Sequence, residues 1–70
     1  MKNAQEKKLT VVINAIETAG YNPYAQLTGY MATGDASYIT RQGGARTMIR
    51  ELDETLIKRY LAEHSRMHLR

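Results

Sequence analysis

Apolar residues recur at three- and four-residue spacings in each stretch between this chain's glycine and proline punctuation, and that period confines it to packed helices. Leu9, Val12, Ile13 and Ile16 form the first stripe, one face of an amphipathic helix. Val11, Val12 and Ile13 are β-branched, so a strand over residues 9–13 competes locally. The spacing through Ile16 favours helix, and so does Gly20, placed where a left-handed residue would close it. The second start is the clearest local signal: Asn22 suits the N-cap, and Pro23 suits the first helical position, where its missing N–H costs nothing. Tyr24, Leu27, Tyr30 and Met31 give the inward face of this helix, and Gly34 its stop. Gly29 inside it costs about 1 kcal/mol relative to Ala, so it marks a point of close packing, expected against another backbone.

Residues 34–44 read as an ordered loop pinned by Tyr38 and Ile39, with Asp35 or Ser37 placed to cap a short turn. From about residue 45 to 64, Met48, Ile49, Leu52, Leu56, Ile57, Tyr60 and Leu61 form the last stripe. Asp53 is a weak helix former and a good cap, so one long helix and two helices joined at a bend are both open. The expectation is an all-α fold, a compact bundle of three to four short helices. A polar lead-in over residues 1–8 precedes a single helical domain over 9–64 and a basic tail over 65–70, where Arg66 and Arg70 suit a helix C-terminal end.

A 70-residue chain buries only about 60% of its unfolded surface and ordinarily needs a further stabiliser. With no cysteine there is neither a disulfide nor a thiolate metal site. A partner surface is what remains, so a homodimer is expected. No apolar stretch approaches the roughly 20 residues of a membrane span, and residues 1–8 lack the apolar core of a signal peptide. A cytoplasmic protein without membrane insertion follows as the expectation. The net charge is +3, with acidic residues mixed among the basic ones; this aids solubility and points only weakly to nucleic acid.

Catalytic chemistry finds no foothold. His64 and His68 stand at i, i+4 near the end of the chain, with only Glu63 or Ser65 as a third ligand, so two solvated histidines are expected rather than a metal. No catalytic residue, cofactor or metal, and hence no enzyme, is expected. Gly43-Gly44-Ala45-Arg46 opens a helix, a place where phosphates bind. It lacks the phosphate-loop pattern and a preceding strand, so it reads as a tight turn. Arg41, Arg46 and Arg50 are the best anion-facing surface, with Arg50 also spaced to pair with Glu54. Tyr21, Tyr24, Tyr30, Tyr38 and Tyr60 supply every aromatic, and tyrosine suits half-buried and interface positions. The candidate interaction surface is Tyr21, Asn22, Tyr24, Gln26, Tyr30, Tyr38, Arg41, Arg46 and Arg50.

The run Gly20-Tyr21-Asn22-Pro23-Tyr24-Ala25-Gln26-Leu27-Thr28-Gly29-Tyr30 resembles the signature of the IreB family. The likeness continues through Gly34-Asp35, Tyr38-Ile39-Thr40, Ala45-Arg46, Ile49-Arg50, Leu52 and Tyr60-Leu61. It implies a small bacterial cytoplasmic regulator, helical, homodimeric and non-enzymatic. It further implies a target of a membrane Ser/Thr kinase, tied to cell-envelope stress and phosphorylated on threonines of an N-terminal tail. This sequence departs there: residues 1–8 hold no Thr or Ser, and the first threonine, Thr10, falls inside the first helix. Thr10 is the candidate acceptor on that pattern, and a poor one, because a kinase needs an extended segment. The stretch between Leu52 and Tyr60 is also shorter than the family's charged segment. The alternative is a small helix-turn-helix-like nucleic-acid binder, with Arg46, Thr47 and Arg50 on the third helix. Its connection of about ten residues is long for that motif, which turns in about three or four.

Overall fold

The computed structural model describes the backbone of residues 3–68 and the side chains of residues 3–64; the side chains of the basic tail expected over residues 65–70, Arg66, His68 and Arg70 among them, lie outside the described residues. Among the described residues the chain is all helical: α1 (Ala4–Thr18), α2 (Pro23–Thr33), single 3₁₀ turns at Ala36–Tyr38 and Gln42–Gly44, α3 (Ala45–Ile49) and α4 (Glu54–His68). Its Cα radius of gyration is 11.2 Å, against about 11 Å for a globule of this length.

Helix α1 begins inside the stretch set apart as a polar lead-in. Asn3 is its N-cap, accepting from the Glu6 N–H at 2.8 Å, while the Glu6 carboxylate accepts from the Asn3 N–H at 3.1 Å. This reciprocal capping box carries the helix back to Ala4. The strand alternative over residues 9–13 is overridden, because Leu9, Val12, Ala15 and Ile16 bury together on one helical face. Gly20 ends the helix at φ +89°. Asn22 then caps α2 through the Ala25 N–H at 3.1 Å, with Pro23 as first residue, and Gly34 closes it in the left-handed region.

Residues 34–44 are ordered by their own turns. The Asp35 carboxylate accepts from the Ser37 N–H at 2.9 Å, capping the first 3₁₀ turn, and Gly43 and Gly44 adopt left-handed φ of 60° and 75° before α3. The last segment resolves into two helices. Asp53 supplies the break, its carboxylate accepting from the Thr55 N–H at 2.9 Å at the start of α4. Helix α3 has only five residues, and the connection before it is the long one expected. That geometry departs from a helix-turn-helix, whose recognition helix must span a groove.

Every layer contributes to one core: Val12 and Ile16 of α1, Leu27 of α2, Ile39 of the loop, Ile49 of α3 and Ile57 of α4 are fully buried. Half-buried Tyr30, Met31, Met48, Leu56, Tyr60 and Leu61 close over it.

Candidate interaction surface

Two long-range devices fix the loop over residues 34–44 against the helices. The Gln26 side-chain oxygen accepts from the Thr40 N–H at 2.9 Å. From the other side, Arg46 donates from Nε to the Ile39 carbonyl at 2.8 Å and from Nη2 to the Ser37 carbonyl at 3.4 Å. Backbone groups of the loop are thereby satisfied by side chains. Where these devices meet, a cleft of about 380 Å³ opens, lined by Tyr21, Gln26, Ser37, Thr40, Arg41 and Arg46 around buried Ile39. Tyr21 and Tyr38 are about half exposed, at 56% and 49%, and Arg41 and Arg50 are exposed.

Asp35 sits within the field of these arginines. Its carboxyl is held below the ordinary value of 3.8, first by the backbone N–H of Ser37, then by the Ser37 hydroxyl, with Arg46 and Arg50 adding attraction. It forms no ion pair with either arginine. Among the described residues the ion pair within 4.0 Å joins Lys8 to Glu51 at 3.1 Å, so the expected Arg50–Glu54 pair does not form. Arg46 and Arg50 thus act on Asp35 without pairing with it, while Arg41 lines the cleft beside Arg46.

Tyr21, Gln26, Arg41 and Arg46 of the expected surface meet in the cleft. Asn22, Gln26 and Arg46, however, use their polar atoms on the fold itself. Tyr24 and Tyr30 are half-buried. Tyr38 lies over Gly29: a Cβ there would come 2.6 Å from Tyr38 Cδ1. The close approach read from Gly29 is real, but its partner is an aromatic ring rather than a backbone. Ser37 was passed over as an interaction residue because nothing local marks it; only the fold brings it beside arginines.

A second groove runs between α1 and α4, about 320 Å³, with an apolar floor of Leu9, Ile13, Leu56 and Tyr60 and charges from Glu63 and Arg59 on its rim. Thr10 also borders it, but its hydroxyl donates to the Glu6 carbonyl at 3.1 Å, inside α1. The Tyr60 phenol is pushed above its ordinary value by burial and then by the Glu17 charge. Its ring lies 3.9 Å from that of His64, whose Nδ1 is 2.9 Å from the Tyr60 carbonyl. His64 is therefore engaged on its own helix, and the ligand role weighed for His68 falls outside the described side chains.

The sequence reading also missed Gln5. Its Oε1 accepts from the Asp53 N–H at 2.8 Å and its Nε2 donates to the Glu51 carbonyl at 3.1 Å, clamping the α3–α4 bend onto α1. Comparison with protein families finds a match over residues 1–62 to the model described as IreB regulatory phosphoprotein.

Proposed function

Since the chain belongs to the IreB regulatory phosphoprotein family, we propose that it is a non-enzymatic cytoplasmic regulator that works by docking on another protein in a Ser/Thr kinase-linked cell-envelope stress pathway. The observation that carries this reading is the face built by the loop over residues 34–44. Arginines and half-exposed tyrosines stand on a scaffold locked by Gln26 and Arg46, and Arg41 and Arg50 stay exposed. Such a face suits an acidic protein surface: arginine and tyrosine dominate interface energetics, and a rigid scaffold reduces the ordering cost of binding.

The protein acts as a homodimer in this reading. The groove between α1 and α4 offers an apolar strip flanked by both charge signs, Arg59 against Glu6 and Glu63. A two-fold interface requires that kind of self-complementarity. It shares no lining residue with the arginine cleft, so that cleft stays free in this reading of the dimer.

The test is a paired capture experiment from the host cells with wild-type protein and the Arg41→Glu/Arg50→Glu double variant. A partner retained by wild type and lost with the variant, at unchanged helical circular dichroism, supports docking through this face. Equal retention sinks it. Sedimentation at micromolar concentration tests the dimer separately, and a strict monomer removes that part.

A further inference from the structure

We infer that Ser37 is a phosphoacceptor of this protein, and that its phosphate is received in cis by Arg41, Arg46 and Arg50. The acceptor assignment stands on the loop alone. The consequence, that the phosphate closes the basic face to partners, rests on the docking reading above.

A protein kinase takes its acceptor hydroxyl from a segment that can be drawn into an extended, accessible form. Residues 1–8 hold neither serine nor threonine. Thr10, Thr18, Thr28 and Thr33 lie within α1 and α2, and Thr47 and Thr55 within α3 and α4. Thr40 is half-buried, with its N–H bound to Gln26 and its hydroxyl accepting from the Gln42 N–H at 3.2 Å. Ser37 is what remains among the described side chains: exposed, outside any α-helix, in the longest connection of the fold. That connection is bounded by left-handed Gly34 on one side and Gly43 and Gly44 on the other. Connections of this kind open locally at less cost than packed helices.

The chemistry is phosphoryl transfer from a nucleoside triphosphate by a Ser/Thr protein kinase. Ser37 Oγ forms a bond to the γ-phosphorus, the bond from that phosphorus to the β–γ bridging oxygen breaks, the nucleoside diphosphate leaves, and the hydroxyl proton passes to the kinase's catalytic carboxylate. The product carries about −1.5 to −2 charge and acceptor oxygens suited to guanidinium groups. Two effects follow from its surroundings. Ser37 now hydrogen-bonds to Asp35 through its N–H and its hydroxyl; a phosphate there removes the hydroxyl donor and repels the carboxylate, so the cap of the 3₁₀ turn weakens. Arg46 already reaches the Ser37 carbonyl, Arg41 lines the same cleft, and Arg50 acts on Asp35 next door. Attraction from these arginines opposes the repulsion from Asp35. Arginines so occupied are withdrawn from an acidic partner.

The full chain is isolated from the cells that encode it, with phosphatases inhibited, and its phosphates are placed by fragmentation mass spectrometry. Phosphate on Ser37, lost in Ser37→Ala, is expected; phosphate only on other hydroxyls, or none across growth and cell-wall stress conditions, overturns the assignment. In parallel, the 70-residue chain is made by chemical synthesis with phosphoserine at position 37 and titrated by ³¹P NMR. Its second ionisation should fall by about half a unit or more below the ordinary value of about 6 and recover in Arg41→Ala/Arg50→Ala. An ionisation equal to that of a short phosphopeptide overturns the arginine contact. Finally, the phosphorylated chain should retain the partner captured by wild type about fivefold less. Undiminished retention, with Arg41→Glu/Arg50→Glu still abolishing it, refutes the switch and leaves docking intact. Retention that survives the arginine variant refutes docking and leaves the mapped acceptor standing.

Discussion

Replacing Gly29 by alanine sets two known effects against each other. In a helix interior Gly→Ala is ordinarily stabilising by about 0.5–1 kcal/mol, because glycine loses more backbone freedom on folding. Here the new methyl would sit 2.6 Å from Tyr38 Cδ1 and 3.1 Å from Cγ and Cε1. Those atoms are the base and flank of the ring, so a rotation of its tip cannot relieve the contact. The ring must retreat by about 1 Å to reach the ordinary carbon separation of about 3.5–4.0 Å. Tyr38 is 49% exposed, so roughly half of its area is at stake. A buried tyrosine covers about 150–250 Å², and half of that at about 25 cal/mol per Å² is roughly 2–3 kcal/mol if all cover were lost. Partial loss is comparable to the cost of overpacking, about 1–3 kcal/mol. The clash therefore outweighs the helix gain, leaving Gly29→Ala destabilising by about 1 kcal/mol. For a domain of this size that lowers Tm by about 4–8 °C. In a Tyr38→Ala background the obstacle is gone, and the same substitution should stabilise by about 0.5–1 kcal/mol. Thermal and urea melts of the four proteins form a double-mutant cycle in which the substitution changes sign. A rise in Tm on Gly29→Ala with Tyr38 present, or the same sign in both backgrounds, would refute the reasoning.

Gln5→Ala removes both bonds to the α3–α4 bend and should cost about 1–2 kcal/mol in a urea melt; Gln5→Glu, which keeps the acceptor and loses the donor, should cost less. Asn22→Ala deletes the cap of α2 and should lower stability by about 1 kcal/mol, with Asn22→Gly recovering most of it. Asp35 has a lowered folded pKa, so its contribution is present above the unfolded value and lost as pH falls through the folded one; ¹³C NMR titration should place its carboxyl below 3.8, and the Tyr38 and Arg46 signals should move with it. Tyr60 has a raised folded pKa, so its contribution is complete below 10.0 and lost as pH rises through the folded value; absorbance titration, with Tyr60→Phe to assign the signal, should find Tyr60 ionising above 10.0, and Glu17→Gln should bring it partway back.

The residues expected to form one interaction surface divide in the structure into those that hold the fold and those that stay exposed. Asn22, Gln26 and Arg46 belong to the first group, Tyr21, Arg41 and Arg50 to the second. Arg46 shows why sequence alone could not sort them. Its spacing to Arg50 places both on one face, but whether its guanidinium meets solvent depends on where the Ser37 and Ile39 carbonyls stand. Those positions follow from the burial of Ile39 and from Gln26, distant in the chain, reaching Thr40.

The helical stripes on which the all-α expectation rested, with their caps and stops, were determined by the sequence itself. Asn22-Pro23, Gly20, Gly34 and Asp53 act within one turn of their own position, so a single stretch of chain contains both donor and acceptor. The start of α1 was legible in principle through Asn3 and Glu6, whose spacing is that of a capping box. What only the tertiary structure decided are contacts between residues far apart in the chain: Gln5 on the bend at Glu51 and Asp53, Tyr38 over Gly29, Ser37 among arginines. Polar side chains of this kind fit many local environments equally well. It is packing of the apolar stripes that brings one carbonyl or one ring within reach and so gives each of them its role.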